Sequence, residues 1–178
     1  DIANVIIDGQ KVEYNSFDIT PAWRDNTTCV MFIDGVGADR NIWGDWLPLL
    51  AGYYPIISLD LPGHGKSEPW KSNENLNFNF YHHVISSIAE KENKTSIVLI
   101  GESMGGTIAL YAASKMQDKI KAVATCSTVH RGGNLQHVSA WKHQIVDDSL
   151  ESWSADMLEK RFFPNSVTDD TLDWFHKA

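Results

Sequence analysis

Four short, almost purely apolar runs alternate with segments of helical periodicity, and this alternation constrains the fold more than any other feature of the chain. Apolar runs of five to seven residues that contain Ile or Val are typical of strands buried on both faces. The runs are Cys29 to Ile33, Tyr54 to Leu59, Ser96 to Ile100 and Ile120 to Cys126. Such alternation predicts an α/β fold in which a mostly parallel sheet carries helices on both faces.

Turn residues and apolar spacing set the other expected boundaries. Asp8-Gly9 predicts a hairpin between residues 4–7 and 11–17, because this dipeptide favours the tight turns that join antiparallel strands. Residues 60–67 are rich in Gly and predict consecutive tight turns, and residues 101–106 predict another. Helical spacing of apolar residues predicts helices over residues 41–50, 76–91 and 107–116.

The pattern changes after the fourth apolar run. Residues 137–178 contain two or three amphipathic helical segments and no further β-rich run. We therefore expect residues 1–130 to form the N-terminal part of an α/β core and residues 131–178 to begin a helical cap. Two interpretations of the second segment stay open, because its helices either complete the core or form a lid over a pocket beyond the strands.

Charge and composition exclude several classes of partner. The 178 residues carry 15 Lys+Arg against 23 Asp+Glu, a formal net charge of −8, with no basic cluster. This balance argues against a nucleic acid or an anionic membrane surface as partner, and no apolar run approaches the roughly 18 residues of a membrane span. Small molecules or other proteins remain, and we expect a soluble, folded, cytoplasmic protein.

The two cysteines, Cys29 and Cys126, are too few for a disulfide framework and lie in no spacing typical of metal ligands. Their apolar neighbours predict that both are buried free thiols in strands. No motif in the chain indicates a metal site or a cofactor.

The motif that carries chemistry is Gly101-Glu102-Ser103-Met104-Gly105-Gly106, between an apolar run and a helical segment. A Gly-x-Ser-x-Gly sequence in this context predicts a sharp strand-to-helix turn, in which glycines on either side of the serine avoid clashes. Ser103 would then be a nucleophile at a helix N-terminus, and the Met104 amide would stabilise the developing oxyanion. The alternative is that Ser103 is only the N-cap of the helix.

An oxyanion hole needs a second donor. Asp34-Gly35-Val36-Gly37 follows a strand that we expect beside the Ser103 strand, so the Val36 amide is the candidate. Alternatively, the two glycines serve only to shape the turn. We expect the ring of His64, in the turn-rich residues 60–67, to hydrogen-bond backbone there, and its use as a catalytic base is the alternative.

These motifs, in this order and spacing, resemble the α/β-hydrolase fold superfamily. The resemblance rests on the apolar strand with Asp34-Gly35 and the later Trp43, on DLPGHGKS at residues 60–67 and on GESMGG at residues 101–106. It spans essentially residues 4–130. Such a resemblance implies a cofactor-independent hydrolase built on a serine nucleophile.

The resemblance also assigns individual residues. Ser103 matches the nucleophile, and Val36 and Met104 match the oxyanion-hole amides. The segment Trp141 to Asn165, which ends in LEKRFFPN, is more loosely similar to the cap of 3-oxoadipate enol-lactonases and of pimeloyl carrier-protein methyl ester esterases. Phe162 and Phe163 match cap positions that are expected to face the acyl group, and Gly35 is a further candidate for substrate contact.

Two departures from the family pattern affect the mechanism. Asp34-Gly35 stands where the family most often has His-Gly, and a carboxylate there is expected to raise the local negative potential and disfavour anionic substrates. The family's acid and histidine follow later strands, after the cap. We therefore expect that the catalytic triad is incomplete in this chain and that the C-terminal part of the core is absent from it. That missing portion of the same protein is then a candidate binding partner. His130, just past a core strand, is the histidine best placed to substitute, but we expect it to be a pocket-rim or loop residue, with the role of base as the alternative.

The resulting hypothesis is a serine hydrolase that cleaves a carboxylic ester or lactone of a small, partly apolar substrate through an acyl-enzyme on Ser103. Carbon–carbon bond hydrolysis and acyl transfer stay open, because both use the same turn. A non-catalytic binding protein that keeps the pocket without the proton relay is the alternative from another class.

Overall fold

The structure, a computed structural model, describes residues 1–24, 26–71, 76–130 and 138–177. Its strands are β1 (Ile2–Ile7), β2 (Gln10–Phe17), β3 (Thr28–Ile33), β4 (Ile56–Leu59), β5 (Ser96–Glu102) and β6 (Ile120–Cys126). They form one sheet in the order β1-β2-β4-β3-β5-β6. β4, β3, β5 and β6 pair in parallel, whereas β2 pairs antiparallel with both β1 and β4. The predicted mostly parallel sheet is confirmed.

The helices are α1 (Leu47–Leu50), α2 (Phe78–Lys91), α3 (Met104–Lys115), α4 (Val138–His143), α5 (Leu150–Arg161) and α6 (Asp169–Lys177). A 3₁₀ helix, Arg40–Trp46, precedes α1, and a π-helical turn, Gln144–Asp148, follows α4. No helix in the described ranges combines the length and the apolar composition that a bilayer crossing needs.

The hairpin of β1 and β2 turns at Asp8 and Gly9, as the sequence predicts. Both residues have positive φ angles, 51° and 77°, which is the combination that a two-residue turn needs to match the twist of the strands. The register places Ile7 opposite Gln10. This hairpin adds the antiparallel edge to the parallel strands that carry the candidate site.

One face of the sheet packs against α2 and α3. α2 begins after Asn77, whose side chain accepts a hydrogen bond from Phe80 N–H at 3.1 Å, an arrangement typical of a helix N-cap. The apolar positions of both helices face the strands, as helical periodicity predicts. The buried residues of this core include Met31, Ile33, Leu99, Val84, Ile85, Ile88, Ile108 and Ala112.

The opposite face is covered by the 3₁₀ helix and α1, so helices lie on both faces as predicted. Trp43 stacks on Phe32 with ring centroids 4.7 Å apart. The single helix predicted over residues 41–50 is instead two short pieces, with Pro48 in the first turn of the second. Proline has no N–H to donate, so it suits the start of a helix rather than its interior.

β6 is the edge strand of the described sheet, and most of its residues are exposed. The prediction that both cysteines are buried is therefore correct for Cys29 and wrong for Cys126, which is exposed. Cys29 lies in β3, between two neighbouring strands, and burial raises the pKa of its thiol to about 12. Cys126 ends a strand that pairs with β5 alone among the described strands.

The chain divides into two compact units, Asp1–Arg131 and Gly132–Ala178. In the second unit Trp153 is buried, and its ring centroid lies 6.1 Å from that of Trp141. The ring of Phe162 lies 5.2 Å from that of Phe175. Aromatic contacts thus hold the helices of this unit together, and its interpretation as a cap stays a prediction.

Candidate active site

Ser103 lies between β5 and α3 in a strained backbone conformation. Its φ and ψ angles are 53° and −118°, in a region that costs a non-glycine residue about 1–3 kcal/mol. The Ser103 N–H donates to the carbonyl of Cys126 at 2.9 Å, and Thr128 Oγ1 donates to the Ser103 carbonyl at 3.3 Å. The turn is tighter than predicted, because β5 continues to Glu102 and α3 already begins at Met104.

The Ser103 hydroxyl does not cap α3. Ser103 occupies the N-cap position, yet its side chain makes no capping hydrogen bond. An N-cap serine normally has an extended backbone and accepts from an amide of the first turn. The structure therefore does not support a side-chain capping role for Ser103, whose side chain is partly exposed.

The glycines of the motif are required by close backbone contacts. A Cβ on Gly101 would lie 2.5 Å from the carbonyl carbon and oxygen of Gly105, and a Cβ on Gly105 would lie 2.2 Å from the carbonyl oxygen of Ile33. Both distances are shorter than real Cβ contacts. β5, α3 and the end of β3 therefore meet with only backbone atoms between them.

The loop after β3, residues 34–39, here called the β3 loop, lies against the turn at Ser103. A Cβ on Gly35 would lie 2.2 Å from Glu102 Oε2 and 2.9 Å from Ser103 Cβ. The structure thus brings the loop that carries Val36 to the turn that carries Ser103 and Met104. Met104 is the first residue of α3, and the first four amides of a helix have no acceptor within it.

Glu102 is a neighbour of the site that the sequence reasoning missed. Its carboxylate approaches the Cα of Gly35, so an acidic group flanks the β3 loop on the side of Ser103. The signal that could have found it is its place beside Ser103 on a strand that pairs with β3.

Asp34 is fully buried, and neither of its carboxyl oxygens has a hydrogen-bond partner within the described residues. Burial raises the pKa of this carboxyl well above its usual range, and the nearby acidic groups of Asp60, Asp39 and Glu102 raise it further. Burial disfavours the charged form. Burial therefore works against the expectation that Asp34 presents a carboxylate to the site, because a buried carboxyl group is harder to ionise.

His64 uses both ring nitrogens in contacts with backbone. Its Nε2 accepts from Gly37 N–H at 3.2 Å, and its Nδ1 lies 3.1 Å from the Pro62 carbonyl oxygen. The prediction of backbone hydrogen bonds is confirmed, and one of them reaches the β3 loop. In the described ranges no hydrogen bond joins Ser103 to His64 or to His130, so neither is placed as its base.

An ion-pair cluster anchors the end of the β3 loop, and no sequence signal indicated it. Arg40 Nη1 donates to Asp60 Oδ2 at 2.7 Å and Arg40 Nη2 donates to Glu13 Oε1 at 3.0 Å. The side chains of Arg40 and Asp60 are 7% and 1% exposed. A Cβ on Gly65 would lie 2.3 Å from Asp60 Oδ2, so Gly65 makes room for this carboxylate.

Phe162 and Phe163 lie in the second unit. Both line a largely apolar cavity of about 330 Å³, together with Leu158, Pro164, Val167 and Leu172. Phe163 is 86% exposed. Over the described parts of the chain, no group of three or more His, Cys, Asp or Glu side chains is arranged to hold a metal ion.

The strand order, the strained serine and the abutting β3 loop together define an α/β hydrolase. The chain belongs to the α/β-hydrolase fold family, whose model matches residues 28–165. Over 102 residues the chain is 28% identical to a pimeloyl-[acyl-carrier protein] methyl ester esterase from Neisseria meningitidis serogroup A / serotype 4A, across 57% of this chain and 30% of that protein.

Solved structures agree with this fold. A hydrolase from Pseudomonas aeruginosa PA01 superposes with a TM-score of 0.82 at 16% identity, over 99% of this chain and 66% of that one. The enol-lactonase from Burkholderia xenovorans LB400 superposes with a TM-score of 0.78 at 17% identity, over 98% and 66%. The chain therefore spans just under two thirds of the length of these two structures.

Proposed function

We propose that the protein is a serine hydrolase that cleaves a carboxylic ester or a lactone of a small, partly apolar substrate. The observation that carries the proposal is the conformation of Ser103, with φ and ψ of 53° and −118° and a side chain that does not cap α3. Strained residues persist where surrounding structure fixes them, and they cluster at functional sites. A strand-to-helix turn with this serine is where α/β hydrolases place the nucleophile.

In the proposed reaction Ser103 Oγ attacks the substrate carbonyl carbon while its proton passes to a base. The amides of Val36 and Met104 stabilise the oxyanion, the alcohol leaves with a proton, and water then hydrolyses the acyl-enzyme. No described histidine hydrogen-bonds Ser103, and the solved relatives are longer than this chain. We therefore assign the base and its orienting acid to the part of the family fold that this chain does not span.

The substrate class is inferred from the relatives. The Neisseria protein is a methyl ester esterase and the Burkholderia protein an enol-lactonase. Both names describe a reaction that transfers an acyl group to water. A serine nucleophile at the turn of Ser103 suits such a reaction. Gly35 is assigned to the carbonyl end of the substrate because it lies against Ser103.

The proposal is tested by labelling the full-length protein with a fluorophosphonate, which reacts with activated serines. We expect one adduct, located by peptide mass on Ser103, and none in Ser103→Ala. Ser86→Ala, which removes a hydroxyl from α2, is the matched control and should label like the wild type. Turnover of short-chain aryl esters and of lactones should fall by about 10²-fold or more in Ser103→Ala.

Two outcomes would contradict the proposal. Equal labelling of the wild type and Ser103→Ala would place the reactive group elsewhere. A wild-type protein that is neither labelled nor active on any ester or lactone would favour a hydrolase-like binding protein instead.

A further inference from the structure

The β3 loop and Arg40, the first residue of the 3₁₀ helix that follows it, are joined at two points to the loop after β4, residues 60–67, here called the β4 loop. At the first, Arg40 N–H and Arg40 Nη1 donate to Asp60 at 2.9 and 2.7 Å. At the second, Gly37 N–H donates to His64 Nε2 at 3.2 Å. The first contact is a buried ion pair at the far end of the loop, whereas the second lies one residue from Val36.

Val36 is held between two neighbours that the rest of the fold fixes. On one side Gly35 packs against Glu102 and Ser103. On the other side the peptide between Val36 and Gly37 is oriented by its hydrogen bond to His64. Gly37 has a φ of 72°, and glycine adopts positive and negative φ about equally well. Glycine at this position therefore does not by itself select the orientation, and the hydrogen bond to His64 adds a constraint.

The hydrogen-bond pattern also fixes the form of the ring. Gly37 offers a donor, so Nε2 must be the unprotonated nitrogen, and Nδ1 then carries the proton that it donates to the Pro62 carbonyl. Only the neutral ring protonated at Nδ1 makes both bonds. A hydrocarbon side chain makes neither, whereas glutamine places an acceptor oxygen at about the reach of Nε2.

We propose that neutral His64 is a positioning residue: through Gly37 it holds the β3 loop so that the Val36 amide is preset to bind the oxyanion. This inference rests on the proposed function. Because the oxyanion forms only after attack on the carbonyl, such a residue affects the chemical step rather than substrate binding. The structure thus assigns His64 a role through the β3 loop and not as the base.

The test uses the full-length protein with His64→Leu, His64→Gln and the matched control His83→Leu, which makes the same change at an exposed position of α2. Turnover of a short-chain aryl ester gives kcat and KM. Hydrogen exchange of the Gly37 amide, followed by NMR, reports the hydrogen bond without any activity.

We expect His64→Leu to lower kcat about tenfold or more with KM within about twofold, since one oxyanion donor is worth about 10²–10³ in kcat and here it is loosened rather than removed. Gly37 exchange should become about 2- to 10-fold faster, the range for loss of one net hydrogen bond. His64→Gln should recover most of kcat and of the Gly37 protection, because it keeps the acceptor.

A His64→Leu protein that retains the kcat and the Gly37 exchange rate of His83→Leu overturns the inference. If His64→Leu does not fold, His64→Gln decides: a protected Gly37 amide with nearly wild-type kcat supports the inference, and an unprotected amide with wild-type kcat overturns it. An inactive, unlabelled wild type would instead overturn the proposed function, and Gly37 exchange would still show whether His64 holds the loop.

Discussion

Gly105→Ala should disrupt the junction of β3, β5 and α3, and the structure sets the size of the effect. The added Cβ would lie 2.2 Å from the carbonyl oxygen of Ile33 and 2.4 Å from that of Asp34. Ordinary contacts begin at 3.4 Å, so α3 and the end of β3 must separate by about 1 Å, given how tightly interiors are packed. The atoms that the new Cβ would meet are backbone atoms, which cannot move aside by a change of side-chain rotamer.

The loss of stability in Gly105→Ala depends on which backbone groups must move to make room for the new Cβ. Ile33 pairs with Leu59 of β4 and with Gly101 of β5, so its carbonyl cannot recede without disturbing two strand pairings. Adding a methyl group to a well-packed core costs about 1–3 kcal/mol, occasionally more. We expect the upper end, about 3 kcal/mol, which lowers Tm by about 6–12 °C for a protein of this size.

The chain offers two matched controls for this experiment. A Cβ on Gly44 or Gly52 meets no atom within 4 Å, and neither residue has a positive φ. Gly44→Ala and Gly52→Ala should therefore be neutral or stabilise by up to about 1 kcal/mol. Urea unfolding of all three variants measures the difference. A Gly105→Ala protein within about 0.5 kcal/mol of the controls would refute the claim that the motif glycines serve backbone contact.

Two further predictions concern buried charge. The pKa of Asp34 is raised in the folded protein, so above the ordinary pKa of Asp the folded state binds a proton that the unfolded state has lost. The free energy of unfolding therefore falls as pH rises towards the folded pKa, by up to about 1.4 kcal/mol per pH unit. Asp34→Asn should flatten that slope in urea unfolding measured from pH 4 to 8, and an unchanged slope would refute the burial argument. Arg40→Met should lower the free energy of unfolding by about 3 kcal/mol, since it leaves buried Asp60 without its cation. Lys71→Met, which breaks an exposed ion pair, should lower it by less than about 1 kcal/mol. Equal losses in the two variants would contradict this prediction.

The fold was predictable because its signals are local and repeated. The four apolar runs and the hairpin dipeptide each specify one element that is present, and two of the three helices predicted from apolar spacing between the strands form as single helices. The helix predicted over residues 41–50 forms instead as a 3₁₀ helix followed by α1, and among its apolar side chains Trp43 is buried while Trp46 and Leu49 are exposed. The spacing of apolar residues shows that a helix has an apolar face, but the packed structure decides which of those side chains are buried.

The site could be predicted from the sequence only where a close backbone contact requires a particular residue type, such as glycine. Gly101 and Gly105 mark the turn because no other residue fits there. The contacts of His64 with Gly37 and of Arg40 with Asp60 join residues 20 or more positions apart, and a histidine or an arginine is compatible with many partners. The charge state of Asp34 depends on its burial, which follows from the packed structure and not from the residue type.

The strand order explains why a glycine-containing loop can hold a preset amide. β4, β3 and β5 are neighbours in the sheet, and being parallel they end at the same edge. The β3 loop is the middle one, with Ser103 following β5 on one side and His64 following β4 on the other. Its residues contact both sides, Gly35 at the serine turn and Gly37 at His64. Val36 lies between these two contacts, so we infer that the order needed by the proposed oxyanion hole comes from the neighbouring loops as well as from the β3 loop itself.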